Sequence, residues 1–432
     1  MKDKKYRFET LALHAGQEPD SSTGSRGAPV YRTSSYVFKD TGHAADLFAL
    51  REPGNIYTRI TNPTTDMLEK RITALEGGVA SVAVASGTSA IHYTIINIAS
   101  AGDEILAANN LYGGTYTMFD AILPSMGINC RFVNPADPEN FRKGINHRTK
   151  LVYIETIGNP VLDFTDIRAV ADIAHENGIP LVVDATFTTP YLLRTIEHGA
   201  DIVINSLTKW IGGHGTAIGG SVTDSGKFNW NSEKFPLYKN PDPNYHGMRW
   251  GTDLPPEISS IPFAMRYRTV PLRNLGAALS PDNAWIFLQG TETLPLRMER
   301  HCENAMKVAR FLDRDPRVSW VRYPGLPGDP SYGTASRYLE KGFGGMVVFG
   351  IKGGYSPAVK FIDNINLFSH VANVGDAKSL VIHPSSTSHS QLSEEQQRLS
   401  GLTSDLIRLS IGLEHPDDII EALDEALDMS QK

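Results

Sequence analysis

The stretch DIVINSLTKWIGGHGTAIGG, Asp201 to Gly220, decides the fold. An apolar run from Ile202 to Ile204 stops abruptly, and Ser206, Thr208, Lys209 and a loop dense in glycine follow. A short apolar run bounded by turn signals reads as a buried strand that ends at an open edge. In open α/β sheets ligands bind just past the carboxyl ends of the strands. The segment therefore sets one amine, just after two hydroxyls able to hold an anion, where such a sheet does its chemistry. A surface lysine after an ordinary strand is the reading this segment alone leaves open.

Outward from that strand the pattern repeats. ASVAVAS, EILAAN, CRFV, KLVYIET, PLVVDAT and GGSVTD are further strand candidates, and MLEKRITALEG, GTSAIHYTIINIA and DIRAVADIAHENG are helical between them. TYTMFDAILPSMG is helical as far as Pro124. Alternation on this scale predicts an α/β fold with a mostly parallel central sheet covered on both faces. Residues 66–280 form this large domain. Residues 1–65, punctuated by glycine and proline, read as an irregular arm with short helical turns. Residues 226–253, rich in Pro, Asn, Trp and Tyr, read as a long ordered excursion. After Ser280 a helix is expected through ETLPLRMERHCENAMKVARFLDR, bent at Pro295, then the strands VSWVRY, MVVFGI and LIRLSIG and two helices. Residues 281–432 thus read as a smaller α/β domain.

Composition excludes several function classes. The chain has 432 residues, 41% hydrophobic and 21% charged, with 41 Lys plus Arg against 48 Asp plus Glu. A net charge of -7 leaves no electrostatic footprint for nucleic acid or an anionic membrane. MKDKKYRFET lacks the apolar core of a signal peptide. The apolar segment from Ala90 to Ala101 is too short and too broken to span a bilayer. Two cysteines, Cys130 and Cys302, give neither a disulfide framework nor a zinc spacing, and a cytoplasmic location is the expectation. His370, His383 and His389 lack a ligand spacing, so no metal site is expected. There is no GxxxxGK[ST] and no GxGxxG.

Four strand ends carry chemistry. Ser86-Gly87-Thr88 lies where a strand gives way to a helix, whose free N–H groups and dipole attract phosphate. Tyr112, before Gly113 and Gly114, can stack on a flat ring and offer its hydroxyl as acid or base. Asp184 closes PLVVDATF and can hold a pyridinium nitrogen protonated. Ser206, Thr208 and Lys209 complete the set. Each has a bland reading: a helix cap, a core tyrosine, a turn aspartate, a surface lysine. Together they are what a pyridoxal 5'-phosphate Schiff base needs.

The chain is similar to the trans-sulfuration branch of the pyridoxal phosphate enzymes, the Cys/Met metabolism family. SLTKWIGGH (Ser206 to His214) resembles its lysine signature, and YTRITNPT, SGTSA, LYGGTY, ETIGNP, VVDATF, NVGDAKSLVIHPSSTSHSQL (Asn373 to Leu392) and LIRLSIGLEH all have counterparts there. The resemblance implies a fold-type I transferase. It implies that Lys209 bears the cofactor and later shuttles the substrate proton, with Tyr112 stacked on the ring and assisting catalysis. Asp184 would pair with the ring nitrogen, and Asn159 would sit near the ring hydroxyl. Ser86, Gly87, Thr88, Ser206 and Thr208 would hold the phosphate. Tyr57 and Arg59 would reach the phosphate of a neighbouring subunit, giving a homotetramer built from dimers that share active sites. Arg408 would bind the α-carboxylate of a small amino-acid substrate in a bidentate pair, and Asn373 would lie beside it.

Within the family, GGHGTAIGG, the excursion through DSGKFNW and NPDPNYHG, and Gly114 in place of the cysteine of methionine γ-lyases resemble the O-acetylhomoserine sulfhydrylases. The expected reaction is γ-replacement on O-acetylhomoserine by sulfide, methanethiol or sulfur borne by a carrier protein. A γ-lyase or a cystathionine γ-synthase is the competing expectation.

Overall fold

The computed structural model describes residues 6–387 and 402–432. His389 and the end of the Asn373 to Leu392 motif lie outside them. The strand that leads to Lys209 lies inside the main sheet. Seven strands, β1 (Ala80–Val84), β2 (Glu104–Ala108), β3 (Asn129–Val133), β4 (Thr149–Glu155), β5 (Leu181–Asp184), β6 (Ile202–Ser206) and β7 (Gly220–Asp224), form a sheet in the order β1-β7-β6-β5-β4-β2-β3. The pairs from β3 to β6 are parallel. Ile202, Val203 and Ile204 are fully buried, as strands covered on both faces must be, which is why their run is uninterrupted rather than alternating. β7 is the reversed strand, antiparallel to both β6 and β1, with Ser206 opposite Gly220. The glycine loop after Lys209 returns the chain directly, so no crossover helix is needed.

Helix starts around this sheet carry local caps. The Ser86 hydroxyl accepts the Ser89 N–H at 3.0 Å at the head of the helix Gly87–Ile98. The Asn62 side chain caps Pro63–Glu76, which Gly77 ends at φ 75°. The segment read as helical to Pro124 runs on to Ser125 by widening into a π turn over Met118–Ile122, which accommodates the missing N–H of proline.

A second sheet has the order β10-β11-β12-β9-β8, from β8 (Val318–Arg322), β9 (Met346–Ile351), β10 (Ser369–His370), β11 (Leu380–Ile382) and β12 (Leu406–Ser410). The helix expected to bend at Pro295 is in fact two, Pro281–Glu292 and Leu294–Arg314, parted at Thr293. Proline cannot donate to the carbonyl four residues back and its ring crowds it. Beside the break, the Arg297 guanidinium donates to the Gly290 carbonyl at 2.6 Å. No helix among the described residues is long and apolar enough to cross a membrane.

Candidate active site

The carboxyl ends of β1, β4, β5 and β6 open on one cavity of about 270 Å³. Ser86, Gly87, Thr88, Tyr112, Asn159, Asp184, Ser206, Thr208, Lys209, Asn373 and Arg408 all line it. Ten of these come from loops, strand ends and the start of the helix Gly87–Ile98. Arg408 instead projects from the middle of β12, where it pairs with Ile382 and Val348. The second sheet thus contributes a cation to a cavity built by the first.

The anion-binding end rests on close backbone approach. A Cβ on Gly87 would lie 2.7 Å from the Ser206 Cβ, and one on Gly220 would lie 2.2 Å from the Ser86 carbonyl oxygen. Only glycine lets these segments meet (the reason the motif reads SGT and GG). The first N–H groups of a helix have no intrahelical acceptor, so Gly87 and Thr88, beside the Ser206 and Thr208 hydroxyls, form a set of neutral donors suited to phosphate. Thr208 is held by its hydroxyl, which accepts the Gly219 N–H at 3.1 Å.

Asp184 lies at the floor. Its carboxylate accepts the Thr186 N–H at 2.9 Å and the Tyr153 hydroxyl at 3.3 Å. Burial pushes its carboxyl above the usual range, opposed by those hydrogen bonds. No cation among the described residues pairs with it. A buried carboxylate without a cationic partner is what a protonated ring nitrogen would relieve. The donor set at one end and this carboxylate at the other both fit pyridoxal phosphate.

Lys209 donates from Nζ to the Asn373 Oδ1 at 2.6 Å. Burial, helped by the Arg408 charge, lowers its amine to about 8. Only the neutral amine attacks an aldehyde. About a tenth of it is neutral at pH 7, against roughly one part in three thousand for an ordinary lysine. The rate at which cofactor-free protein captures pyridoxal phosphate should therefore rise with pH to a midpoint near 8 and fall about tenfold per unit below it. Stopped-flow absorbance across pH measures this; a midpoint above 10 would remove the claim that the site activates the amine.

Arg408 is buried and donates from Nη1 to the Asn159 Oδ1 at 2.9 Å. Burial brings its guanidinium down to about 10, opposed by Tyr112. No carboxylate ion pair holds Arg408 among the described residues, so the fork stays available to a ligand.

Two expected residues lie elsewhere. Tyr57 and Arg59 do not line the cavity of their own chain. The Arg59 guanidinium stacks on the Tyr57 ring, 4.9 Å from its centroid, and donates from Nε to the Arg273 carbonyl at 2.9 Å. Sequence reasoning missed Glu155, which lines the cavity beside Asp184 on the neighbouring strand. Its Oε1 accepts the Tyr112 N–H at 2.7 Å, and burial raises its carboxyl well above the ordinary range, Asp184 adding to the rise. The signal was there in ETIGNP, but a carboxylate closing an apolar strand carries no mark of what it anchors. The apolar wall of Ile91, Ile157, Phe187 and Val374 was also missed.

Comparison with known proteins agrees with this geometry. The sequence model of the Cys/Met metabolism PLP-dependent enzyme family matches residues 9–428. The chain is 55% identical to an O-acetyl-L-homoserine sulfhydrylase of Leptospira meyeri over 98% of this chain and 97% of that protein. It is 49% identical to a homocysteine synthase of Schizosaccharomyces pombe, covering 98% of each. A crystal structure from Campylobacter jejuni, carrying a pyridoxyl-lysine monophosphate, superposes with a TM-score of 0.94 at 40% identity, over 98% of this chain and all of that one. The chain belongs to the Cys/Met metabolism family of PLP-dependent enzymes.

Proposed function

We propose that this enzyme replaces the acetate of O-acetylhomoserine with a sulfur nucleophile, giving homocysteine from sulfide or methionine from methanethiol. The single observation that carries this reading is the cavity itself, in which one activated lysine, a buried carboxylate and a guanidinium with no ion-pair partner among the described residues converge. Similarity to the sulfhydrylases over nearly the whole of both chains supports the choice of reaction.

Gly87, Thr88, Ser86, Ser206 and Thr208 hold the phosphate of the cofactor, Asp184 keeps a proton on its ring nitrogen, and Asn159 lies near its ring hydroxyl. Once bound, pyridoxal phosphate supplies an electron sink for charge developing on the substrate carbons. Lys209 holds the cofactor and, when the substrate amine displaces it, takes the proton from Cα at Nζ. Arg408 fixes the α-carboxylate, with Asn373 beside it. Tyr112 stacks on the ring and assists proton transfer toward the departing acetate. Ile91, Ile157, Phe187 and Val374 exclude water from the reacting carbons, which favours replacement over hydrolytic loss.

In this reading residues 66–280 carry the cofactor, residues 281–432 supply the carboxylate contact, and residues 1–65 reach a neighbouring copy. The assembly is a homotetramer of dimers in the cytoplasm, fed by free sulfide, a thiol or a sulfur-carrier protein.

Asp184→Asn tests the floor of the site. An amide cannot hold the ring nitrogen protonated as a carboxylate does, so turnover should fall by about 10²-fold or more while the cofactor remains attached. Turnover near the wild-type rate would exclude the role given to Asp184. The reaction is tested by incubating the enzyme with O-acetylhomoserine with and without sulfide and weighing the products. Homocysteine and acetate that depend on sulfide support replacement. Keto acid and ammonia released equally fast without sulfide would make it a γ-lyase.

A further inference from the structure

The excursion after β7 and the helical segment that follows it contribute no residue to the cavity lining, yet together they touch the segment that carries Tyr57 and Arg59 at several points. The turn at 242–250 is a compact unit. The Asp242 carboxylate accepts the indole N–H of the buried Trp250 at 2.9 Å and the Asn244 N–H at 2.9 Å. The Tyr245 ring packs on Trp250 with centroids 5.0 Å apart. From this unit the Tyr245 hydroxyl donates to the Phe48 carbonyl at 2.8 Å, at the end of the helix Thr41–Phe48. The Arg273 guanidinium lies 5.8 Å from the centroid of the Phe48 ring. The Arg273 carbonyl accepts from Arg59 Nε at 2.9 Å. Arg268 donates to the Ile60 carbonyl at 2.7 Å while its other nitrogen pairs with the buried Glu69 at 2.6 Å.

Within the arm, local order comes from the antiparallel bridge of Ser35 to Tyr57, the side chain of Asn62, which donates to Tyr31, Tyr36 and Thr58, the Thr64 hydroxyl, which donates to the Pro29 carbonyl, and the edge contact of Phe38 with Phe48. A single antiparallel bridge is marginal on its own in water, so contacts from outside the arm add to its order. The contacts to Phe48, Arg59 and Ile60 bracket the Tyr57–Arg59 segment on both sides and all come from residues 245–273.

We propose that residues 242–275 are a scaffold that holds the Tyr57–Arg59 arm in position to complete the cofactor site of a second copy of this chain. The proposal rests on the reading that these two residues serve a neighbour's phosphate, and it adds what sets their position. The mechanism is preorganisation: an arm already ordered loses less conformational entropy when it engages its ligand.

The test compares cofactor affinity in three variants of the full chain, at a concentration where each keeps the wild-type assembly size. Tyr245→Phe removes only the hydroxyl, and Tyr245→Phe with Arg273→Ala also removes the cation over Phe48. Affinity for pyridoxal phosphate should fall roughly fivefold in the first and tenfold or more in the second. Trypsin should cut the cofactor-free protein faster after Arg51 and Arg59, with the rest of the chain as resistant as before. Arg59→Ala is the control for the underlying reading and should lower affinity at least as much. If Arg59→Ala weakens binding while both scaffold variants bind and resist trypsin as wild type does, the scaffold proposal is overturned. If Arg59→Ala binds the cofactor unchanged, the reading beneath it fails, and the proposal with it.

Discussion

Lys209→Ala is expected to lose the visible absorbance of the bound cofactor and to lower turnover by more than the roughly 10²–10⁴-fold that a general acid–base group contributes. Two functions disappear with one amine. Lys209 is the one lysine among the described residues that lines the cavity, and no other described amine lies there to take over the covalent attachment. The same Nζ is the base placed to remove the substrate Cα proton. The fold should survive, because the side-chain amine makes its hydrogen bond to Asn373 alone among the described residues and the strand below it is held by the apolar core. Thermal unfolding and absorbance on the same sample separate the two outcomes. Wild-type turnover in the variant would refute the assignment.

Arg408→Ala should leave the cofactor attached and cut kcat/KM for O-acetylhomoserine by roughly 10²–10³-fold. Losing one partner of a buried, hydrogen-bonded charge pair costs about 2–5 kcal/mol. The loss should fall mainly on KM, since a carboxylate contact is made before and during reaction alike. Arg408→Lys keeps the charge and loses the planar fork, so it should recover only part of the affinity. A second consequence separates Arg408 from a mere strand-edge cation. Its charge helps hold the Lys209 amine down. Removing it favours the protonated amine, so the pH midpoint for cofactor capture should rise above about 8. Unchanged KM together with an unchanged midpoint would exclude Arg408 from the site.

Most of the large sheet was legible because the physics that buries a parallel strand leaves an apolar run, and the residue that breaks the run lies at the functional edge. That is how Ser86, Asp184, Ser206 and Lys209 could be placed together from their strands. Direction was not legible: β7 reads like its neighbours, and only the short glycine loop hints that it returns antiparallel. β10 and β11 are two and three residues long, too short to show a period. Arg408 lies within a strand of the other sheet, and nothing in its own surroundings marks it. The resemblance of LIRLSIG to the family identified it. Glu155 escaped because its contact is to a backbone N–H of Tyr112, a partner that sequence cannot name. Tyr57 and Arg59 were singled out by resemblance as well, and they stand apart from the cavity of their own chain.

The central claim, that one lysine at the end of β6 captures the cofactor aldehyde, is tested most directly by borohydride reduction of the loaded enzyme followed by peptide mass analysis. A single phosphopyridoxyl group on the peptide containing Lys209 is the predicted result. A label on another lysine, or none on a protein that has been incubated with pyridoxal phosphate, would contradict it.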